Sequence, residues 1–152
     1  MTLHDVVDRL AIDDLLTRYA TAVDTKDWGL YTTCFTADAL IDYTAAGGIK
    51  GRLPEVRAWL AEVMVSFPVS QHIVANRVIV LDGDAATSRS YLFNSMGVGE
   101  RRELAGLFFE GAFYQDRLVR TSDGWRIAER IEESCWSTRH QALIPPGRDR
   151  AS

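Results

Sequence analysis

The hydrophobic pattern changes its period once along the chain, and this change constrains the fold more than any other feature. Before Phe67, apolar residues recur at three- and four-residue steps, which is typical of amphipathic helices. After Phe67, apolar and polar residues alternate and Val and Ile become frequent, which is typical of strands. Because helices and antiparallel strands are segregated along the chain, the pattern predicts an α+β fold.

The first half contains three predicted helices and one short strand. Pro54 suits the first turn of a helix, and Gly47-Gly48 ends the strand before it. Thr2 can cap the first helix, with Asp5 three positions later. The predicted helices cover residues 5–23, 28–35 and 54–67, and the strand covers residues 38–44.

The second half is predicted to be a meander of four long antiparallel strands. Asp82-Gly83-Asp84 and Ser122-Asp123-Gly124 are typical hairpin turns between them. The strands cover residues 70–81, 85–96, 104–120 and 125–136, and an irregular tail follows over 137–152. We expect the three helices to pack on a strongly curved sheet whose concave face encloses a pocket for a small molecule.

Length and charge exclude several classes of protein. The 152 residues suit a single domain, residues 1–152, with one core. The net charge of −4 leaves no basic stripe for nucleic acid. No apolar run approaches the roughly 20 residues of a membrane helix, and the N-terminus has no signal-peptide pattern, so we expect a cytoplasmic protein.

The sequence has no metal-binding or cofactor-binding motif. Its three histidines (His4, His72 and His140) are scattered, and Cys34 and Cys135 read as two packed thiols. No phosphate loop, dinucleotide fingerprint or nucleophile elbow is present. A reaction without a cofactor is therefore the economical expectation.

Asp24 and His72 are the first candidates for chemistry. Alone, Asp24 reads as a turn or helix-end residue and His72 as a satisfied core histidine. If both line the pocket, the carboxylate would fix the imidazole tautomer and leave the other ring nitrogen free to take a proton.

Tyr19 and Tyr43 are the next candidates. Either can be a core residue, but a buried phenol needs a hydrogen-bond partner. In a pocket, either hydroxyl could donate to a substrate carbonyl and stabilise an enolate.

Other side chains are candidates for contact with a substrate, depending on which strand face looks inward. Arg130 and Arg139 could bind an anion, although pairing with nearby acids such as Glu129, Glu132 and Glu133 is favoured. The polar candidates are Asn76, Asn94 and Glu110, and the aromatic ones are Trp28, Phe93 and Trp136.

Several local motifs resemble those of one family over residues 5–137. They are Ile12-Asp13-Asp14-Leu15-Leu16 with Tyr19-Ala20, Val23-Asp24-Thr25-Lys26-Asp27-Trp28, Phe35-Thr36-Ala37-Asp38-Ala39, Gln71-His72-Ile73-Val74-Ala75-Asn76, Gly111-Ala112-Phe113-Tyr114 and Asp123-Gly124-Trp125-Arg126-Ile127. The chain thereby resembles the SnoaL-like branch of the nuclear-transport-factor-2-like superfamily. The resemblance implies a cone-shaped α+β barrel and a homo-oligomer, a trimer or dimer.

The resemblance also implies a site. Cofactor-free lyases of this branch, among them scytalone dehydratase and bile acid 7α-dehydratase, share an aspartate–histidine dyad, and Asp24 and His72 match it by local motif. Tyr43 resembles the carbonyl-facing tyrosine of both dehydratases, and Tyr19 resembles the helix-one tyrosine of the bile acid enzyme. A second pocket histidine of scytalone dehydratase is replaced here by Asn94 or Ser95, and the late arginine of the bile acid enzyme has no clean counterpart.

The sequence leaves three functional hypotheses. The first is a cofactor-independent dehydratase acting on a hydrophobic cyclic or polycyclic hydroxy-ketone, steroid-like or polyketide-like, with His72 as base. The second keeps the site but isomerises a double bond or cyclises a polyketide. The third is a non-catalytic small-molecule carrier, or a scaffold resembling the β-subunit of an aromatic-ring dioxygenase.

Overall fold

Three helices pack against one six-stranded sheet in the computed structural model, which describes residues 1–101 and 103–138. The irregular tail predicted over 137–152 is wrong for Ser137, which ends the last strand. Arg139 and the rest of the tail after Thr138 lie outside the described residues. The elements in chain order are α1 (Leu3–Thr25), α2 (Trp28–Thr32), β1 (Phe35–Asp42), β2 (Lys50–Arg52), α3 (Leu53–Val63), β3 (Val69–Asp82), β4 (Ala85–Glu100), β5 (Glu103–Thr121) and β6 (Gly124–Ser137).

The sheet has the strand order β2-β1-β6-β5-β4-β3 and is curled but not closed. The meander of β3 to β6 is antiparallel, which confirms the predicted four strands. The α+β class and the cone-like shape are confirmed as well. Two features were not predicted: β2 forms a short edge, and β1 joins the far side of the meander by pairing parallel to β6.

Helix α1 lies across the concave face of the sheet and contacts β3 and β6. Its start is fixed by the predicted capping box between Thr2 and Asp5. Further along, the buried carboxylate of Asp8 accepts two hydrogen bonds from Arg120, at 2.7 and 2.6 Å, and one from Trp125 Nε1, at 3.1 Å. These contacts anchor the helix on β5 and β6, so that its last turn is placed over the start of β3.

A β-bulge interrupts the alternation of β3. The pairing with β4 shifts between Ala75 and Val78, and Asn76 has a φ of 49°. A bulge adds one residue to a strand and so exchanges the faces that follow it. Val78 and Val80 are therefore exposed, although the simple alternation from His72 predicts that they face inward.

The remaining composition-based expectations have mixed outcomes. Cys34 is buried, but Cys135 is exposed, so the interpretation of both as packed thiols is wrong for Cys135. No helix in residues 1–101 and 103–138 is long and apolar enough to cross a membrane.

Candidate functional site

Asp24 and His72 form a hydrogen-bonded pair. Asp24 lies in the last turn of α1, and His72 lies near the start of β3, where α1 ends over the sheet. His72 Nδ1 is 2.6 Å from Asp24 Oδ1, the His72 backbone N–H donates to Oδ2 at 2.9 Å, and Ser70 Oγ donates to Oδ1 at 3.1 Å. Asp24 does not cap the helix, because Lys26 in a left-handed conformation is the C-cap residue.

The surroundings of Asp24 favour its ionised form. A carboxylate at a helix C-terminus faces the negative end of the helix dipole and needs other support. Partial burial raises the pKa of the Asp24 carboxyl, but the hydrogen bonds and charge of His72, together with Ser70, outweigh it and hold the pKa below its ordinary value. An ionised carboxylate only accepts, so Nδ1 of His72 donates to Asp24, and Nε2 is the ring nitrogen that Asp24 does not contact.

His72 forms part of the wall of a cavity between the helices and the concave face of the sheet, with a volume of about 90 Å³. One part of the wall is apolar and comes mainly from α3 and the turn after it. The apolar residues are Val23, Ala46, Gly48, Trp59, Leu60, Val63, Met64 and Met96, and the polar ones are Tyr19, Tyr43, His72, Asn94, Glu110, Tyr114 and Glu132.

Four tyrosine hydroxyls form a chain beside the cavity. Tyr19 Oη is 2.8 Å from Tyr43 Oη and 3.3 Å from Tyr114 Oη, and Tyr43 Oη is 3.3 Å from Tyr31 Oη. Burial raises the pKa of Tyr19, and it raises the pKa of the other three well above the ordinary value. These phenols therefore stay protonated at neutral pH and can donate hydrogen bonds to a ligand oxygen.

Arg130 lies behind two of these tyrosines. Its guanidinium carbon is 3.9 Å from the ring centre of Tyr19 and 4.1 Å from that of Tyr114, and it forms two 2.7 Å hydrogen bonds to Asp116. Burial lowers the pKa of Arg130, but Asp116 outweighs burial and keeps the pKa well above its ordinary value. The favoured ion pair is thus present, with Asp116 rather than Glu129, Glu132 or Glu133 as the carboxylate.

The structure brings six of the sequence-predicted site residues to one cavity and its dyad. Tyr19, Tyr43, His72, Asn94 and Glu110 line the cavity, and Asp24 contacts His72 from outside it. His72, Asn94 and Glu110 are direct cross-strand partners on β3, β4 and β5. Side chains at paired positions share a face of the sheet, so these three lie side by side.

Four other predicted residues lie elsewhere, which corrects their placement in the same site. Asn76, Phe93 and Trp136 line a second concavity on the outer face of the sheet. Phe93 precedes Asn94 and so points to the opposite face, and Trp136 lies across Gly111, where any Cβ would be 2.3 Å from the indole. Trp28 packs edge-on to Tyr31 with ring centres 6.0 Å apart.

Sequence reasoning missed part of the wall. Tyr114 was not among the candidate site residues, and Glu132 was named only as a partner for arginine, although both line the cavity. Both lie on the inward face: Tyr114 and Glu132 are cross-strand partners, as are Asp116 and Arg130 two residues away. The alternation in β5 places Glu110, Ala112, Tyr114 and Asp116 on one face of the sheet. The sequence alone does not say whether this face or the opposite one looks into the cavity.

Metal ligands are not clustered in the described part of the chain. In residues 1–101 and 103–138, no group of three or more His, Cys, Asp or Glu side chains is arranged to hold a metal ion.

Comparison with known proteins identifies the family. The SnoaL-like domain matches residues 4–131. An uncharacterised protein of Mycobacterium tuberculosis is 42% identical over 137 residues, which are 90% of this chain and 91% of that protein.

Solved structures give the same fold. A candidate scytalone dehydratase from Novosphingobium aromaticivorans has a TM-score of 0.81 at 20% identity, over 98% of this chain and 99% of its own. A hexachlorocyclohexane dehydrochlorinase has a TM-score of 0.76 at 19% identity, over 96% and 99%. At these identities the likeness establishes the fold and not the reaction. The chain belongs to the SnoaL-like domain family, and its fold is the cone-shaped α+β fold of nuclear-transport-factor-2-like proteins.

Proposed function

We propose that the protein is a cofactor-independent dehydratase of a hydrophobic cyclic or polycyclic hydroxy-ketone. The observation that carries the proposal is the 2.6 Å contact between Asp24 and His72 at the wall of a cavity that also contains tyrosine hydroxyls. The two structural neighbours named above are a candidate dehydratase and a dehydrochlorinase, both named for eliminations, which agrees with a lyase.

The proposed reaction uses three kinds of group. His72 Nε2 removes the proton α to the substrate carbonyl, and the electrons of the C–H bond form the enolate. Tyr43, supported by Tyr19, donates a hydrogen bond to the enolate oxygen. The enolate then re-forms the carbonyl and a carbon–carbon double bond as the β-hydroxyl leaves, and the His72 imidazolium protonates this hydroxyl to give water.

Asp24 acts through His72 in this scheme. Its carboxylate fixes the tautomer and stabilises the imidazolium that forms after proton removal. General acid–base catalysis of this kind contributes about 10²- to 10⁴-fold to a rate. The apolar side chains of α3, Trp59 and Leu60 among them, provide the contact surface for the hydrophobic ring of the substrate.

The test is the conversion of 3-hydroxy-1-tetralone, a bicyclic β-hydroxy-ketone, to 1-naphthol. We expect fluorescence of the naphthol and the loss of one water by mass spectrometry. His72→Ala abolishes most of the activity, whereas His4→Ala, whose side chain is 73% exposed and remote from the cavity, is the matched control. A His72→Ala protein as active as the wild type contradicts the proposal.

The same experiment separates the other hypotheses. An isomerase or a polyketide cyclase can use the same dyad and enolate, but an isomerisation product keeps the mass of the substrate. A scaffold of the dioxygenase type co-purifies with a larger iron-containing partner and does not convert 3-hydroxy-1-tetralone.

The predicted homo-oligomer, a trimer or dimer, is tested separately. Large apolar side chains remain exposed on the outer face of the sheet, including Ile73 at 49%, Phe93 at 42% and Trp136 at 45%. Exposed apolar patches of this kind mark association surfaces in soluble proteins. Light scattering after size-exclusion chromatography gives the mass directly, and a monomeric mass contradicts the prediction.

A further inference from the structure

The loop that follows β1 holds Tyr43 by its backbone. The N–H of Tyr43 donates to the carbonyl oxygen of Ile49 at 2.9 Å. The carbonyl oxygen of Tyr43 accepts from the N–H groups of Ala46, at 3.1 Å, and Gly48, at 2.9 Å. Because both polar groups of the Tyr43 backbone are bonded within residues 43–49, the packing of this loop determines where the Tyr43 side chain points.

Two consecutive glycines in the loop are required for different reasons. Gly47 has a φ of 80°, a left-handed conformation that favours glycine. The φ of Gly48 lies outside that region, so its backbone conformation is open to an alanine. The reason for a glycine at position 48 is therefore the space around it.

Gly48 lies where the indole of Trp59 meets the loop. A Cβ on Gly48 would be 2.8 Å from Cη2 of Trp59 and 3.0 Å from both Cβ and the carbonyl oxygen of Tyr43. Carbon atoms in contact normally lie about 3.5–4.0 Å apart. Gly48 thus permits a contact in which an aromatic ring of the cavity wall packs directly on the loop that carries Tyr43.

A methyl group on Gly48 displaces the loop rather than the helix that carries Trp59. Helix α3 is fixed by side chains buried on its inner face, among them Val56 and Leu60. Even if the indole moves away, the two 3.0 Å contacts with Tyr43 remain, because they lie within the loop itself. Packed interiors transmit such displacements instead of absorbing them.

We propose that Gly48 is a positioning residue for Tyr43. Its lack of a side chain lets Trp59 pack on the loop, and this packing holds the Tyr43 hydroxyl at 2.8 Å from that of Tyr19, facing the cavity. The inference rests on the proposed function in taking Tyr43 as the donor to the substrate carbonyl. Gly48 acts only through Tyr43.

The first test is the activity of Gly48→Ala. We expect kcat for 3-hydroxy-1-tetralone to fall about tenfold with KM nearly unchanged, since misplacing a catalytic group by about 1 Å costs up to about 10²-fold. The matched control is Gly29→Ala in α2, where an added Cβ would lie 3.3 Å from Asp27 Oδ1, and its kcat should equal that of the wild type.

A double-mutant cycle separates positioning from a general structural role. In a Tyr43→Phe background, Gly48→Ala should lower kcat less than about twofold, because two changes that act through one group are not additive. A loss of about tenfold in both backgrounds would mean that Gly48 acts elsewhere, and it would overturn the inference.

A second measurement follows Tyr43 without turnover. The protein is labelled with 3-fluorotyrosine, and the ¹⁹F signals of its five tyrosines are assigned by Tyr→Phe variants. Gly48→Ala should shift the Tyr43 signal and leave that of Tyr91, which is 48% exposed on the outer face of the sheet, in place. An unmoved Tyr43 signal contradicts the inference.

The kinetic constants identify the other way in which Gly48→Ala can be accommodated. A rise in KM with unchanged kcat would mean that Trp59 moves into the cavity and Tyr43 stays, which overturns the inference. If Gly48→Ala does not fold, the variant Gly48→Ala/Trp59→Phe relieves the 2.8 Å contact but keeps those with Tyr43, and the same ¹⁹F shift is expected.

Failure of the proposed function gives a different result from failure of this inference. If the wild type does not convert 3-hydroxy-1-tetralone, the proposed function fails, and the ¹⁹F shift of Tyr43 in Gly48→Ala still decides whether Gly48 positions that residue. If the wild type is active and Gly48→Ala keeps its full kcat, the inference fails and the proposed function stands.

Discussion

Two carboxylates each pair with a basic side chain that contacts or lines the cavity wall: Asp116 with Arg130, which packs on Tyr19 and Tyr114, and Asp24 with His72. The two pairs differ in burial. The side chains of Asp116 and Arg130 are both 0% exposed, whereas Asp24 is 23% exposed and His72 7%. Arginine stays charged at any working pH, but histidine changes its charge near neutrality. The fully enclosed pair is therefore a fixed charge pair, whereas in the proposed reaction the partly open pair exchanges a proton with the substrate.

The two pairs differ in what they contact: one packs against tyrosine rings of the cavity wall, and the other includes the proposed catalytic base. The Arg130 guanidinium packs on the rings of Tyr19 and Tyr114 and holds them in place. Asp24 instead contacts only Nδ1 of the His72 ring, which leaves Nε2 for the proposed proton transfer. Breaking the enclosed pair should therefore affect stability first, and breaking the open pair should affect rate first.

Asp116→Asn has the largest expected effect. It leaves the Arg130 charge buried without compensation, and breaking a buried pair in this way costs about 3–5 kcal/mol of unfolding free energy. Urea unfolding followed by circular dichroism measures the loss. The matched control is Glu129→Gln, because Glu129 pairs with Arg117 at 3.5 Å on the surface, where such pairs contribute about 0–1 kcal/mol. Equal losses in the two variants would mean that burial does not distinguish them.

Asp24→Asn has the next largest effect, and it acts on rate. The amide can hold the ring but cannot stabilise the imidazolium, so we expect kcat to fall by about 10²-fold with KM nearly unchanged. The melting temperature should move little, because the side chain keeps hydrogen bonds to β3. A loss of stability as large as that of Asp116→Asn would remove the contrast between the pairs.

Tyr43→Phe sharpens the comparison within the tyrosine chain. Tyr43 lines the cavity, whereas Tyr31 does not and its hydroxyl is bonded to that of Tyr43. Removing either hydroxyl leaves a buried partner short of one hydrogen bond and costs about 1–3 kcal/mol of stability. Only Tyr43→Phe should also lower kcat for 3-hydroxy-1-tetralone. A Tyr31→Phe enzyme with the same loss of kcat would contradict the assignment of Tyr43 to the carbonyl.

The smallest effect is on acid stability. The pKa of Asp24 is lowered in the folded protein, and hydrogen bonds from Arg120 and Trp125 lower the pKa of Asp8 to about 2. Groups with a depressed pKa stabilise the fold above their unfolded pKa, near 4, and this contribution is lost as pH falls toward the folded pKa. Wild-type stability should therefore fall from pH 4 to pH 2, and Asp8→Asn should flatten this fall. An unchanged slope in Asp8→Asn would show that Asp8 does not contribute.

The local parts of this fold are readable from sequence. The hairpins at Asp82-Gly83-Asp84 and at Ser122-Asp123-Gly124 carry their own turn residues, and Gly83 and Gly124 adopt positive φ values of 58° and 94° there. The parallel pairing of β1 with β6 has no local signal, because it depends on a contact between distant segments. The three residues of β2 are too few to show a period.

Whether the other predicted residues reach the cavity depends on which face of each strand looks inward. The bulge at Asn76 reverses the faces of β3, and a single-residue shift exchanges Asn94 for Phe93 at the cavity. The dyad was found from its surrounding motifs, as Val23-Asp24-Thr25 and Gln71-His72-Ile73 resemble the family. The Arg130–Asp116 pair was missed because Asp116 lies fourteen residues earlier on the neighbouring strand.

The four linked tyrosine hydroxyls have one further consequence. Each link can be donated from either side, so the row from Tyr31 through Tyr43 and Tyr19 to Tyr114 has two directions of polarisation. A carbonyl that accepts from Tyr43 requires Tyr43 to accept from its neighbours, which aligns the dipoles of the row toward the ligand. A ligand that donates to Tyr43 leaves the single proton of that hydroxyl for one neighbour, Tyr19 or Tyr31. The row of hydroxyls can therefore present either a donor or an acceptor at Tyr43 by rotating protons, without moving any heavy atom.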